Sequence, residues 1–328
     1  FKQKTAYEIY QCDWSSDVCS SDLTAASTGD PETGLKADSW AFTAINGFGT
    51  PSVSGAVATY TAATPAGTDG GTATATVSNN ANLASAAGAT FTVTADAAAP
   101  TGGSLSGLSA TTTSTSTSFS LARFVDAGSG VATETLTEQR AAVVSGACPL
   151  SGSPSWQDVT TLAINTSETA SGLATGYCYR FVYTTADKVG NTAAATSSAI
   201  LVDTVTPNQP TLAFDQLTNS YWDGSGTLYF NSALGGSYRV TASADAPASG
   251  IASYDFTVGG GHGFTPSGTG SQRSYSYGVG ATSTTGAATV TSGAGAVSSA
   301  ASYTLTADGA APSDPAILCN GLACSPTY

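Results

Sequence analysis

Apolar and polar residues alternate along short stretches of this chain. Phe91-Thr-Val93-Thr and Tyr303-Thr-Leu305-Thr alternate cleanly, and Ala199-Ile-Leu201-Val less so. A period of two sends successive side chains to opposite faces, so each stretch predicts a β-strand with one buried face. Each stretch is followed by Asp-x-x-x-Pro, at Asp96 to Pro100, Asp203 to Pro207 and Asp308 to Pro312. Proline cannot continue a central strand, so it closes each unit. The three prolines fall 107 and 105 residues apart. A period near a hundred residues is the size of one antiparallel β-sandwich. The chain therefore reads as an array of small β-units.

A second signature sits early in each unit. Asp30-Pro-Glu-Thr33-Gly34-Leu35, Asp126-Ala-Gly-Ser129-Gly130-Val131 and Asp245-Ala-Pro-Ala-Ser249-Gly250-Ile251 share one form. It predicts a tight turn, in which Asp accepts nearby backbone N–H groups and Gly takes φ > 0. A metal loop needs more oxygen ligands than one Asp and one hydroxyl supply. Units one and three are closer kin: Ser39-Trp40-Ala41-Phe42-Thr43 matches Ser253-Tyr254-Asp255-Phe256-Thr257. Late in unit two, Asp187-Lys-Val-Gly190-Asn191 predicts a hairpin turn with Gly190 and Asn191 suited to left-handed backbone. Ser292-Gly-Ala-Gly295-Ala296 stands there in unit three, and Asn79-Asn80-Ala81-Asn82 in unit one, one residue short.

Together these features resemble the bacterial Ig-like and fibronectin-III-like repeats of large secreted and cell-surface proteins. Asp-x-x-Ser-Gly-Val, Asp-x-x-Gly-Asn and Val-Asp-Thr-x-x-Pro carry the resemblance, in the same order in successive units. Leu173 followed six residues later by Tyr179 is similar to the tyrosine-corner segment of fibronectin-III-like sandwiches, with Tyr179 as the corner residue. The resemblance implies an all-β fold, a tandem array of antiparallel Ig-like β-sandwiches. It divides the chain into an N-terminally truncated repeat (24–100), two whole repeats (101–207 and 208–312) and the start of a further truncated one (313–328). Antibody-type domains fit less well, because Cys148 follows the Asp126 turn and lies too close to Trp156.

Residues 1–23 break the composition of everything after them, holding two of the four Lys and two of the six Cys. They resemble a translated sequencing adapter: Lys2 to Glu8 reads as AAG CAG AAG ACG GCA TAC GAG, and Asp13 to Asp22 matches a second adapter stretch in the same frame. Such a scar is excluded from fold reasoning, and Cys12 and Cys19 are not read as a metal or redox pair. The chain also has no Met, as an internal fragment would. Thr24-Ala-Ala-Ser27 lines up with Val240-Thr-Ala-Ser243, so unit one is expected to lack its first strands. It should be the poorest folded unit, with an exposed sheet edge.

Charge narrows the function classes. Asp, Glu, Lys and Arg make up 9 % of the chain, against about 25 % in ordinary soluble proteins. The net charge is −13, and the few bases form no cluster, so a nucleic-acid footprint is absent. No apolar run approaches the roughly 20 residues of a membrane helix.

Cys148 and Cys178 fall within unit two and are expected to form a disulfide that staples a strand to a neighbouring loop. Cys319-Asn-Gly-Leu-Ala-Cys324 predicts a second, small disulfide-closed hairpin. An oxidising, extracytoplasmic location follows.

Chemistry is sparse. His262, the only histidine, lies in a glycine-rich loop with no nucleophile motif beside it. Trp40 and Trp222 are core or edge residues before they are sugar platforms. Asn165-Thr-Ser167 fits a glycosylation sequon, incidental in a bacterial protein. The junction carboxylates Asp96, Asp203 and Asp308 are the candidate metal ligands, with calcium as the cation, because it accepts several oxygens in irregular geometry. No other cofactor is implied.

The expected function is therefore non-catalytic: a stalk or binding-domain presenter on a bacterial surface or secreted protein, meeting an unidentified protein or glycan. The alternative is an accessory or carbohydrate-binding region of a secreted polysaccharide-degrading enzyme.

Overall fold

The structure, a computed structural model, describes residues 19–25, 27, 29–62, 70–85, 88–314, 318–319 and 322–323. Every regular element among them is a β-strand. The first group is β1 (Cys19–Thr24), β2 (Ala41–Phe42), β3 (Ser52–Ser54), β4 (Val57–Ala62), β5 (Gly70–Thr76) and β6 (Ala89–Thr94). The second is β7 (Ser104–Ser106), β8 (Thr111–Thr112), β9 (Ser116–Ala122), β10 (Val131–Ala142), β11 (Gln157–Leu162), β12 (Ser167–Ser171), β13 (Tyr177–Asp187), β14 (Thr192–Thr196) and β15 (Ile200–Val202). The third is β16 (Thr211–Thr218), β17 (Ser220–Trp222), β18 (Thr227–Phe230), β19 (Gly236–Ser243), β20 (Ile251–Val258), β21 (Phe264–Ser267), β22 (Gln272–Tyr277), β23 (Thr284–Ser292) and β24 (Ala301–Ala307). A short pair, β25 (Leu318–Cys319) and β26 (Leu322–Ala323), follows.

Among the described residues, strands pair only within their own group. The second group forms a sheet ordered β12-β9-β7 and another ordered β11-β10-β13-β15-β8, with β14 also on β13. The third forms β16-β19-β22-β21 and β17-β18-β24-β23-β20, and the first forms β1-β4-β3 and β2-β5-β6. Pairing is antiparallel except where β8 runs parallel to β15 and β18 to β24.

Alternation builds the cores. On β13, Tyr179, Phe181 and Tyr183 point inward and meet Phe119 and Leu121 of β9 from the opposite sheet. Phe119 and Phe181 stack with centroids 4.2 Å apart. In the third group, Tyr238, Val240 and Tyr275 face Leu228, Phe256, Tyr303 and Leu305. Each group is thus two sheets closed on one apolar layer, an Ig-like β-sandwich. The first core is small, built on Ile45, Ala58, Tyr60 and Ala73, with Phe42, Phe48, Phe91 and Val93 only partly covered.

Two alignments made from sequence change. Asn79 N donates to Leu83 O at 2.9 Å, as Asp187 N does to Asn191 O and Ser292 N to Ala296 O. All three hairpins therefore have one length, and the turn in unit one is not a residue short. Asn82 holds the left-handed position (φ 61°) that Gly190 and Gly295 hold elsewhere, and this substitution hid the match. The second change is at β1, whose register with β4 sets Thr24, not Ala25, at the place of Thr241. β1 also crosses the composition boundary drawn at residue 23.

Candidate functional site

Two sequence signatures meet at the unit junctions. Asp96, after β6, turns its carboxylate into the Asp126 turn of the next unit, where Oδ2 accepts Ser129 N at 2.6 Å and Oδ1 accepts Ala98 N at 3.2 Å. Asp203, after β15, does the same one unit on: its Oδ2 accepts Ser249 N at 2.8 Å and Ser249 Oγ at 2.5 Å. The Asp of the first two Asp-x-x-x-Pro closures is thus a cap for the Ser-Gly turn of the next unit. Asp308 is exposed and its Oδ1 accepts Ala310 N at 3.1 Å.

The first junction is the more acidic. Carboxylate oxygens of Asp96, Asp126 and Asp187 lie within 4.8 Å of one another. Asp126 Oδ2 accepts Gly130 N at 2.6 Å, and Gly130 has φ 82°. Asp187 is buried, with Oδ1 accepting Val189 N and Asn191 N at 2.9 and 2.8 Å. Asn191 closes the cluster: its Nδ2 reaches Asp187 Oδ2 at 2.8 Å and the Asp96 carbonyl at 3.2 Å. Asn191 does not take the left-handed backbone expected of it; only Gly190 does, at φ 96°. Its side chain is recruited across the junction instead. The Ser129 N–H holds the Asp96 carboxyl below the usual carboxylate range.

Glycine makes the approach feasible. A Cβ on Gly128 would lie 2.4 Å from Asp96 Cγ and Oδ2. At the second junction the acidic set is thinned. Ser292 stands at the hairpin position of Asp187, with its Oγ accepting Ala296 N at 3.1 Å. The turn there is one residue longer and closes through Gly250 N to Pro247 O at 2.8 Å, leaving Asp245 exposed. Of the backbone N–H bonds expected at the turn Asp, Asp126 accepts Gly130 N and Asp30 accepts Glu32 N and Thr33 N, whereas Gly250 N goes to the Pro247 carbonyl and not to Asp245.

The donor set at the first junction fits a hard cation that prefers oxygen. Three carboxylates converge there, and the enclosed hydroxyl of Ser129 has no hydrogen-bond partner. A monovalent cation is also close, since a Cβ on Gly130 would lie 3.5 Å from Lys188 Nζ. Among the described residues no such group forms around Asp203 or Asp308. Sequence reading took Asp126 and Asp187 as lone turn residues, because nothing in their own loops indicates that both reach Asp96.

The remaining candidates are placed as follows. Tyr179 Oη accepts Ala174 N at 2.9 Å beside buried Leu173. Cys148 and Cys178 are joined, tying the 143–156 loop to β13 on the side away from the core aromatics. Arg180 also holds this loop, its guanidinium 4.4 Å over the Trp156 ring. The Cys319–Cys324 pairing lies outside the described residues. His262 Nδ1 lies 2.8 Å from Thr282 Oγ1. Trp222 stacks on Phe214 at 4.0 Å against the third core. Tyr221 and Tyr229, opposite each other on β17 and β18, are 65 % and 38 % exposed.

No protein-family model matches the chain, and no curated protein does. Several solved structures match the chain at low similarity. Fibronectin(III)-like modules of Clostridium thermocellum CbhA are 13 % identical over 60 % of this chain and 87 % of theirs, with a TM-score of 0.31. A structure from a 1.5-MDa bacterial ice-binding adhesin is 16 % identical over 90 % and 92 %, at 0.34. Domains A168–A170 of titin are 11 % identical over 93 % and 97 %, at 0.35. At such scores the assignment of the fold rests on the strands and pairings above. No helix is long and apolar enough to cross a membrane among the described residues.

Proposed function

We propose that this chain is a non-catalytic repeat region of a bacterial surface or secreted protein, a stalk that holds or presents a binding element outside the cell. One observation carries the reading: the closing Asp of one unit caps the Ser-Gly turn of the next, at Asp96–Ser129 and again at Asp203–Ser249. A repeated bond of this kind sets one unit's orientation by its neighbour, which a spacer needs and a lone domain does not. Calcium at Asp96, Asp126 and Asp187 would stiffen the first junction further, by neutralising three clustered carboxylates.

Small-angle X-ray scattering of the full chain tests this. The native chain should scatter as a rod of narrow dimension. The double variant Asp96→Ala, Asp203→Ala should broaden the distance distribution and shorten its maximum. Identical profiles would remove the capping bonds from the argument.

A carbohydrate-binding accessory role is the second reading. The exposed pair Tyr221 and Tyr229 supports it better than Trp40 or Trp222, since Trp222 is occupied by Phe214. A glycan array on native protein and Tyr221→Ala separates the two readings.

A further inference from the structure

We propose that the disulfide-tied loop of the second unit is a brace that sets the angle of the third unit. The third unit presents one block to its neighbour. Ser249 Oγ accepts Ala294 N at 3.0 Å, and Gly293 N donates to Gly250 O at 2.9 Å, so the 247–250 turn and the hairpin after β23 are tied together. Glycine allows this approach, since a Cβ on Gly293 would lie 2.2 Å from Ser249 O.

Three separate parts of the second unit meet that block. Asp203, after β15, accepts Ser249 N and Ser249 Oγ. Thr111 on β8 donates its hydroxyl to Gly293 O at 3.4 Å. The third is the tip of the 143–156 loop: a Cβ on Gly146 would lie 3.9 Å from the Ala248 carbonyl oxygen, an ordinary contact. Units joined by a small interface move relative to one another by default. Two points of contact leave the third unit free to rock about the line that joins them, and a third point stops that motion.

The tip is held at both ends. Val144 and Ala147 exchange backbone bonds of 3.0 and 3.1 Å around Ser145 and Gly146, whose φ angles are 52° and 77°. That is a primed two-residue hairpin turn. On one side, Val143 N donates to Gly176 O at 3.2 Å; on the other, Cys148 is bonded to Cys178, which is fully buried on β13. Gly176 N in turn donates to Val202 O at 2.9 Å, beside Asp203. The bridge thus fixes the tip to the strands that carry the closing Asp. At the first junction, by contrast, Asp96 Oδ2, Asp96 O and Ala98 O all engage the next unit from one short segment. The inference concerns geometry and stands whether or not the array serves as a stalk.

Spin-label distances across the second junction of the full chain test this, with labels on keto-bearing residues introduced at the exposed positions Thr135 and Thr265. The native distribution should be narrow. Cys148→Ser with Cys178→Ser should broaden it while the third unit keeps its melting temperature. Gly146→Asn keeps the bridge and the left-handed backbone, which Asn tolerates, but sets a side chain against Ala248. It should shift the maximum by several ångström without broadening it. A broad native distribution, or a Gly146→Asn distribution identical to native, overturns the proposal. So does an unbroadened distribution in the bridge-free variant when its second unit still melts cooperatively; if that unit no longer folds, Gly146→Asn alone decides.

Discussion

Ser129 N donates to Asp96 Oδ2 at 2.6 Å, joining residues that belong to consecutive β-units. The approach depends on the missing side chain of Gly128, where a Cβ would meet the Asp96 carboxylate at 2.4 Å. Gly128→Ala should therefore act on the junction and leave both cores alone. We expect faster amide exchange at residues 96–98 and 128–130 with an unchanged far-ultraviolet spectrum. Native exchange at those amides would show that Asp96 can move aside without loss.

Tyr179→Phe isolates the corner hydrogen bond. The ring stays in the core, but Ala174 N loses its acceptor at 2.9 Å. A net loss of about 1–3 kcal/mol is expected for a bond whose partner is left unsatisfied. Urea unfolding of the variant measures it, and a midpoint within error of native would assign Tyr179 a packing role alone.

The Cys148–Cys178 bridge closes a chain separation of 30 residues, which corresponds to roughly 3–4 kcal/mol of loop-closure entropy. Reduction, or Cys148→Ser with Cys178→Ser, should lower the melting temperature of the second unit and spare the third. Calorimetry resolving separate transitions would show it. Equal shifts in both units would mean that the loop stabilises the array as a whole.

Glu138 gives a pH signature. It is 4 % exposed, and burial raises its carboxyl above the usual 4.5, opposed in part by the positive charge of Arg140. A folded-state pKa above the unfolded one means the native chain prefers the protonated group. Below the unfolded value both states are protonated and nothing is lost. As pH rises through the folded value, charge must be carried in the buried site and stability falls. Glu138→Gln should therefore melt higher than native near pH 7 and alongside it near pH 4. A constant difference across that range would exclude titration of Glu138 as the cause.

The repeating signatures were legible in sequence because each is local. Clean alternation on β6 and β24, the closing prolines and the Leu173-to-Tyr179 spacing all act within a few residues. The junction site was not legible, because its members come from positions 96, 126 and 187, each with a sufficient explanation in its own turn. Asn191 was misread for a related reason. Its backbone role was inferred from residue type, while its side chain bonds a carbonyl 95 residues away. The hairpin at Asn79 was misaligned because Asn82 stands where glycine stands in the other units.

Calcium binding follows from the same geometry and separates the two junctions. Asp96, Asp126 and Asp187 converge at the first, whereas Ser292 replaces the third carboxylate at the second. Calorimetric titration of the full chain with Ca²⁺ should show one ion bound and a rise in melting temperature. Asp187→Asn keeps an acceptor for Val189 N and Asn191 N but removes a charge, so it should abolish the heat without unfolding the hairpin. Asp203→Asn should leave the binding isotherm unchanged, since Asp203 is engaged by Ser249. Absence of heat and of any thermal shift in the native chain would end the calcium hypothesis. The trio would then be a hydrogen-bonded clasp, with Lys188 as its nearby positive charge.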